Sequence, residues 1–154
     1  MPDCYFEDLS VGDVRTYGRV VVDRDAMIAF ARKYDPQPFH VDEQAAKDSF
    51  LGELIASGWF VACTHMKIMT ADTLPNAGIM GGAGIDSLKW QKPVLAGDVL
   101  SGRRTVLAKR ASASKPDRGL VQTRFEVVNQ RGETVMSQLT WEVFATRSPG
   151  TPDR

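Results

Sequence analysis

Residues 58–71, Gly-Trp-Phe-Val-Ala-Cys-Thr-His-Met-Lys-Ile-Met-Thr-Ala, decide the fold. Trp59, Val61, Ala62, Cys63, Met66, Ile68 and Met69 put apolar groups on more than one side of a helix, so this helix should be buried over most of its surface. Something has to wrap it. The later part of the chain supplies the wrapping, because 85–90, 99–108, 120–129 and 134–144 have the composition and alternation of strands. Alternation is clearest at Val121, Thr123, Phe125 and Val127, and at Val135, Leu139, Trp141 and Val143. Residues 129–133, with Gly132, make the last two strands a hairpin. The architecture that meets these demands is α+β: a strongly curved antiparallel sheet with one long central helix against its concave face. Helices come early and strands late, which disfavours a doubly wound parallel sheet.

Upstream, a turn at Gly12 and Asp13 leads into a strand over 14–22, and Asp23 is placed to cap a helix over 24–34. That helix carries Met27, Phe30 and Ala31 on one face and must stop at Asp35, because Pro36 disfavours helical geometry in the residue before it. Pro38 should keep the next residues extended. Asp42 caps a second short helix through Ala45, Ala46 and Lys47, and Ser57 is placed to cap the long one. The glycine-rich stretch 78–84 lacks the Gly-Lys-Ser/Thr ending of a phosphate loop and is expected to be a flexible connection. One domain over 1–146 accounts for these elements, while 147–154 (RSPGTPDR) has the composition of a disordered tail.

The chain has 154 residues, 43% of them hydrophobic, enough for one domain with a real core. Its 19 basic and 19 acidic side chains cancel, which argues against nucleic acid as a partner. Cys4 and Cys63 lie far apart, and with only His40 and His65 beside them no structural zinc set assembles. The longest apolar run, 54–63, is half of the roughly 20 residues a membrane span needs. The first 13 residues are acidic where a signal peptide would be basic and then apolar, so the expectation is a reduced, cytoplasmic protein without a membrane partner.

The stretch with chemistry in it is Asp35-Pro-Gln-Pro-Phe-His40. Two prolines stiffen a link that holds a carboxylate and an imidazole, and proton transfer needs groups held within reach of one water or substrate atom. An imidazole with a reference pKa near 6.5 serves as base or acid near neutrality. The plainer alternative is that Asp35 ends a helix, His40 packs under the next, and the prolines shape a loop. Residues 34–41 (YDPQPFHV), the following Asp42-Glu-Gln-Ala-Ala46, and Leu54-Ile-Ala-Ser-Gly-Trp59 together resemble the hydratase motif of the MaoC-like dehydratase family, the (R)-specific enoyl-CoA hydratases. Residues 88–94 (LKWQKPV) and 97–100 (GDVL) resemble that family's strand and turn, so the likeness runs from about Phe6 to Phe144. In the family pattern D-x-N-P-x-H, Asp35 and His40 take the two titratable places. Gln37 stands where Asn is usual, Tyr34 where Gly often precedes the Asp, and Ser57 where His is common before Gly58.

The resemblance implies a hot-dog fold, a homodimer with active sites near the subunit interface, and acyl-coenzyme A thioester substrates, with no metal or redox cofactor. It implies hydration of a trans-2-enoyl-CoA to a 3-hydroxyacyl-CoA, or the reverse, by Asp35 and His40 acting on one water. Gly58 opens the long helix, whose free N–H groups and positive dipole end suit a developing oxyanion; alternatively the glycine only permits close packing. Gln37, Pro38, Ser57 and Trp59 are the expected substrate-binding residues. Arg103, Arg104, Lys109, Arg110, Lys115 and Arg118 form a basic stretch that either meets coenzyme A phosphates or solvates a strand face. His65, inside the helix, is expected to be a hydrogen-bonded structural residue. The rival readings are a hot-dog acyl-CoA thioesterase and a catalytically inert acyl-CoA-binding subunit.

Overall fold

The computed structural model describes residues 3–72 and 77–147. Strand β1 (Val14–Val21) is followed by α1 (Arg24–Tyr34), the short helices α2 (Pro38–Val41) and α3 (Glu43–Asp48), and the long α4 (Gly58–Asp72). Then come β2 (Ile79–Trp90), β3 (Val99–Ala111), β4 (Arg118–Val128) and β5 (Thr134–Ala145). The strands form one antiparallel sheet in the order β1-β3-β4-β5-β2, with α4 on its concave face.

The local signals hold where they rest on capping. Asp23 accepts a hydrogen bond from Ala26 N at 2.8 Å, and Asp42 accepts one from Ala45 N at 2.7 Å. Curvature comes from irregularities in the ladders: β1 shifts register between Tyr17 and Val20, and β2 shifts three times against β5. Gly18 turns the β1 bulge with a φ of +63°, and Ile68 of α4 lies directly over it, where a side chain would collide. The core beneath α4 includes Met27, Val61, Leu100, Val127 and Met136 toward the helix start, and Tyr17, Ile68, Met69 and Phe125 toward its end.

Four sequence expectations change. Pro38 does not extend the chain; it sits in the first turn of α2, where its missing N–H costs nothing and its fixed φ favours a helical turn. Most of the glycine-rich stretch is ordered strand, since β2 begins at Ile79 and its backbone pairs with β5 without needing side chains. On β5 the buried face beyond Met136 is Thr140, Glu142 and Phe144, while Leu139, Trp141 and Val143 are only half-buried. Apolar alternation misled there because the interior accepts a polar pair: Thr123 Oγ1 donates to Glu142 Oε2 at 2.6 Å. Finally, α4 buries Val61, His65, Ile68 and Met69 but leaves Trp59, Cys63 and Met66 exposed on this single chain. Arg147, the first residue of the expected tail, hydrogen-bonds Asp8; Ser148 to Arg154 lie outside the described residues.

Candidate active site

Asp35 ends α1, its N–H still bonded to Ala31 O at 2.8 Å while its backbone has left the helical region. Three residues on, α2 starts and carries His40 into the interior, where it is 5% exposed. His40 Nδ1 lies 2.9 Å from the Ile55 carbonyl oxygen. A carbonyl only accepts, so Nδ1 carries a proton and Nε2 faces Asp35 Oδ2, 3.4 Å away. With the imidazole neutral, two acceptors face each other at that distance. They do not bond directly, but one water molecule can donate a hydrogen to each.

Neutral donors hold the carboxylate from the other sides. Ser57 Oγ donates to Oδ2 at 2.6 Å and the Gln37 side-chain amide donates to Oδ1 at 2.8 Å. The Ser57 bond first, then the Gln37 bond, hold the Asp35 pKa below the usual carboxylate value, with burial opposing and His40 adding a smaller effect in the same direction. Asp35 is thus kept as an anion whose lone pairs are largely assigned.

Both groups open into a cleft of about 460 Å³. Phe39, Phe50, Leu51, Ile55, Val61 and Val94 make much of its wall apolar, and Trp59 and Trp90 meet edge to face at 5.3 Å beside it. Gly58, the first residue of α4, also lines the cleft. Among the described residues, its N–H meets no protein acceptor. Trp90 covers Gly58: the indole Nε1 donates to Gly58 O at 2.9 Å, and an added Cβ would lie 2.6 Å from Trp90 Cε2. The glycine therefore makes room for the indole, while its N–H stays available to a ligand.

The structure brings Asp35, Gln37, His40, Gly58 and Trp59 together around the cleft and leaves two expected residues out of its lining. Pro38 is exposed on α2, and Ser57 is fully buried behind Asp35. Sequence reading overlooked Phe39, Phe50, Trp90 and the Ile55 carbonyl. Trp90 lay within the quoted 88–94 motif, which was the available signal; a backbone carbonyl leaves none. No member of the basic stretch lines the cleft. Arg103 is bound two-pronged to Glu126, Arg118 to Asp117, and Lys109 to the carbonyls of Phe6 and Leu9. The cleft's own cation is Lys92, paired with Glu133. Away from the cleft, buried His65 meets Tyr17 OH at 2.6 Å, and burial lowers its pKa to about 4. Among the described residues no helix is long and apolar enough to cross a membrane, and no three His, Cys, Asp or Glu cluster to hold a metal.

Residues 10–131 match the family model described as a MaoC like domain. The solved structure of a MaoC-like dehydratase from Rhodospirillum rubrum is 43% identical, with a TM-score of 0.87 over 94% of this chain and 98% of that one. A Mycobacterium tuberculosis protein with a double hotdog fold is 19% identical, with a TM-score of 0.80 over 97% of this chain and 46% of that one. Mesaconyl-CoA hydratase of Cereibacter sphaeroides is 33% identical over 64 residues, 42% of this chain and 18% of that protein. The expected hot-dog fold is the fold found.

Proposed function

The chain belongs to the MaoC-like domain family, and on that premise we propose that it hydrates a trans-2-enoyl-CoA to a 3-hydroxyacyl-CoA, or runs the reverse dehydration. The observation that carries this reading is the pair His40 Nε2 and Asp35 Oδ2, 3.4 Å apart in a largely apolar cleft that also contains the Gly58 N–H. A water held between the two acceptors has its oxygen free for attack at C3. As the C3–O bond forms, His40 Nε2 takes a proton from the water and passes it to C2, where the electron pair of the double bond has moved. Asp35 holds the water's other hydrogen and balances the imidazolium charge. The Gly58 N–H stabilises the negative charge gathered on the thioester oxygen. That Asp35 is held low in pKa by neutral donors favours His40 as the group that moves the proton. The mesaconyl-CoA hydratase likeness supports a coenzyme A thioester as the substrate class.

A homodimer is part of the reading. α4 exposes Trp59 and Met66, and the edge strand β2 exposes Met80, Ile85 and Trp90. A second copy of the chain would cover both. The family match and the absence of a spanning helix among the described residues accord with a cytoplasmic enzyme.

The test is incubation with a short trans-2-enoyl-CoA while following alkene absorbance and free thiol together. Loss of the alkene without thiol release is the expected result. Thiol release would make the protein a thioesterase, and binding with neither change an inert acyl-CoA-binding subunit.

A further inference from the structure

Ser57 was expected to touch substrate, yet its side chain is 0% exposed and lies behind the cleft. Its hydroxyl makes two bonds in opposite senses. It donates to Asp35 Oδ2 at 2.6 Å and accepts from the Trp59 N–H at 3.2 Å, capping α4. The oxygen that receives the Ser57 proton is the one facing His40 Nε2. One buried hydroxyl therefore joins the carboxylate of the proposed pair to the helix turn that presents the Gly58 N–H.

We propose that Ser57 is a positioning residue of the hydration reaction. It fixes Asp35 as an oriented carboxylate, with the second lone pair of Oδ2 aimed at the water, and ties that carboxylate to the start of α4. The inference deepens the hydratase reading and rests on it for the word "reaction". A buried donor at this place disfavours protonation of Asp35, in accord with the carboxyl's lowered pKa. The other charged and titratable groups around Asp35 do not substitute for it. His40 faces the same oxygen from α2, Lys92 lines the cleft but is paired with Glu133, and on α1 Lys33 lies over the ring of exposed Tyr34. Gln37 serves Oδ1 from a solvent-exposed position.

The experiment compares the wild-type protein with Ser57→Ala, Ser57→Gly and Ser57→Thr, each checked for fold by circular dichroism. Glycine is a tolerated helix cap without a hydroxyl, so Ser57→Gly separates the Asp35 bond from the cap. The Asp35 carboxyl carbon is titrated by NMR in the unliganded protein, and turnover of a short enoyl-CoA is measured across pH. In Ser57→Ala and Ser57→Gly the Asp35 midpoint should rise. kcat should fall about 10- to 100-fold, the rate equivalent of one hydrogen bond to a charged group, with little change in KM. Ser57→Thr, which keeps a hydroxyl, should restore the midpoint and most of the rate. An unmoved Asp35 midpoint in a folded Ser57→Ala or Ser57→Gly protein overturns the proposal, as does an undiminished kcat in such a protein. A wild-type protein that turns over no enoyl-CoA, yet whose Asp35 midpoint rises on Ser57→Ala, overturns the hydratase reading and leaves the Ser57 hold on Asp35 standing.

Discussion

Replacing Gly58 with alanine tests why the long helix begins with a glycine. The added Cβ would lie 2.6 Å from Trp90 Cε2 and 2.8 Å from Cδ2 and Nε1, closer than carbon atoms tolerate, so the indole has to move. Moving it breaks the 2.9 Å bond from Nε1 to Gly58 O, a loss of about 1 kcal/mol. Displacing packed atoms costs about 1–3 kcal/mol more, toward the low end here because Trp90 is 45% exposed and can swing outward. The expected destabilisation is roughly 2 kcal/mol in the wild-type background. With Trp90→Ala already in place, the space is empty and alanine is a better helix former than glycine, so the same change should cost less than about 0.5 kcal/mol. Urea unfolding of the four proteins gives the coupling directly, expected at about 1–2 kcal/mol. The N–H is untouched by a Cβ, so Gly58→Ala in the Trp90→Ala background should also alter turnover by less than about threefold. Equal destabilisation in both backgrounds would refute the packing argument, and a large rate loss confined to the double variant would show that a ligand atom needs the space.

Further outcomes are expected. Asp35→Asn and His40→Gln should each lower enoyl-CoA hydration at least about 100-fold, with the double variant little worse than the poorer single one, in steady-state assays. Binding of a saturated acyl-CoA, read by calorimetry, should survive both. Light scattering at micromolar concentration should give the mass of a dimer, and Ile85→Lys on the exposed edge strand should shift it toward monomer. His65 is held neutral in the fold with its pKa lowered to about 4, whereas the unfolded chain protonates it near 6.5. The unfolded state therefore binds more protons between those values, and stability falls as pH drops through that window. Between pH 7 and pH 5 wild-type protein should lose about 2 kcal/mol more than His65→Gln in chemical denaturation.

Capping and chain-breaking made the helices legible. Asp23 and Asp42 act through bonds to the third residue after them, and Pro36 ends α1 at the residue that bears the carboxylate. The curved sheet followed from the need to wrap residues 58–71. What escaped reading is where backbone or burial overrides composition. Glycines at 81, 82 and 84 look like a loop, but an edge strand with bulges needs only their N–H and C=O groups to pair with β5. On β5, Glu142 is buried because Thr123 hydrogen-bonds it from the neighbouring strand, and such a pairing depends on a register that neither strand reveals alone.

The site divides along the same line. Asp35 and His40 were picked out by residue type and spacing on one short segment, and the structure brings both to one cleft. The division of labour we propose for them was not readable, since it rests on the carbonyl of Ile55, fifteen residues from His40, and the hydroxyl of Ser57, twenty-two residues from Asp35. The carbonyl keeps a proton on Nδ1, and so turns Nε2 toward the carboxylate. The hydroxyl and the Gln37 amide satisfy the carboxylate, so it has no need to take a proton from its neighbour. In the proposed reaction, with the imidazole neutral, two acceptors 3.4 Å apart define a place for one donor with two hydrogens. Water is the smallest molecule that meets that description, and a water whose hydrogens are both engaged presents its lone pairs outward, into the cleft where an alkene would lie.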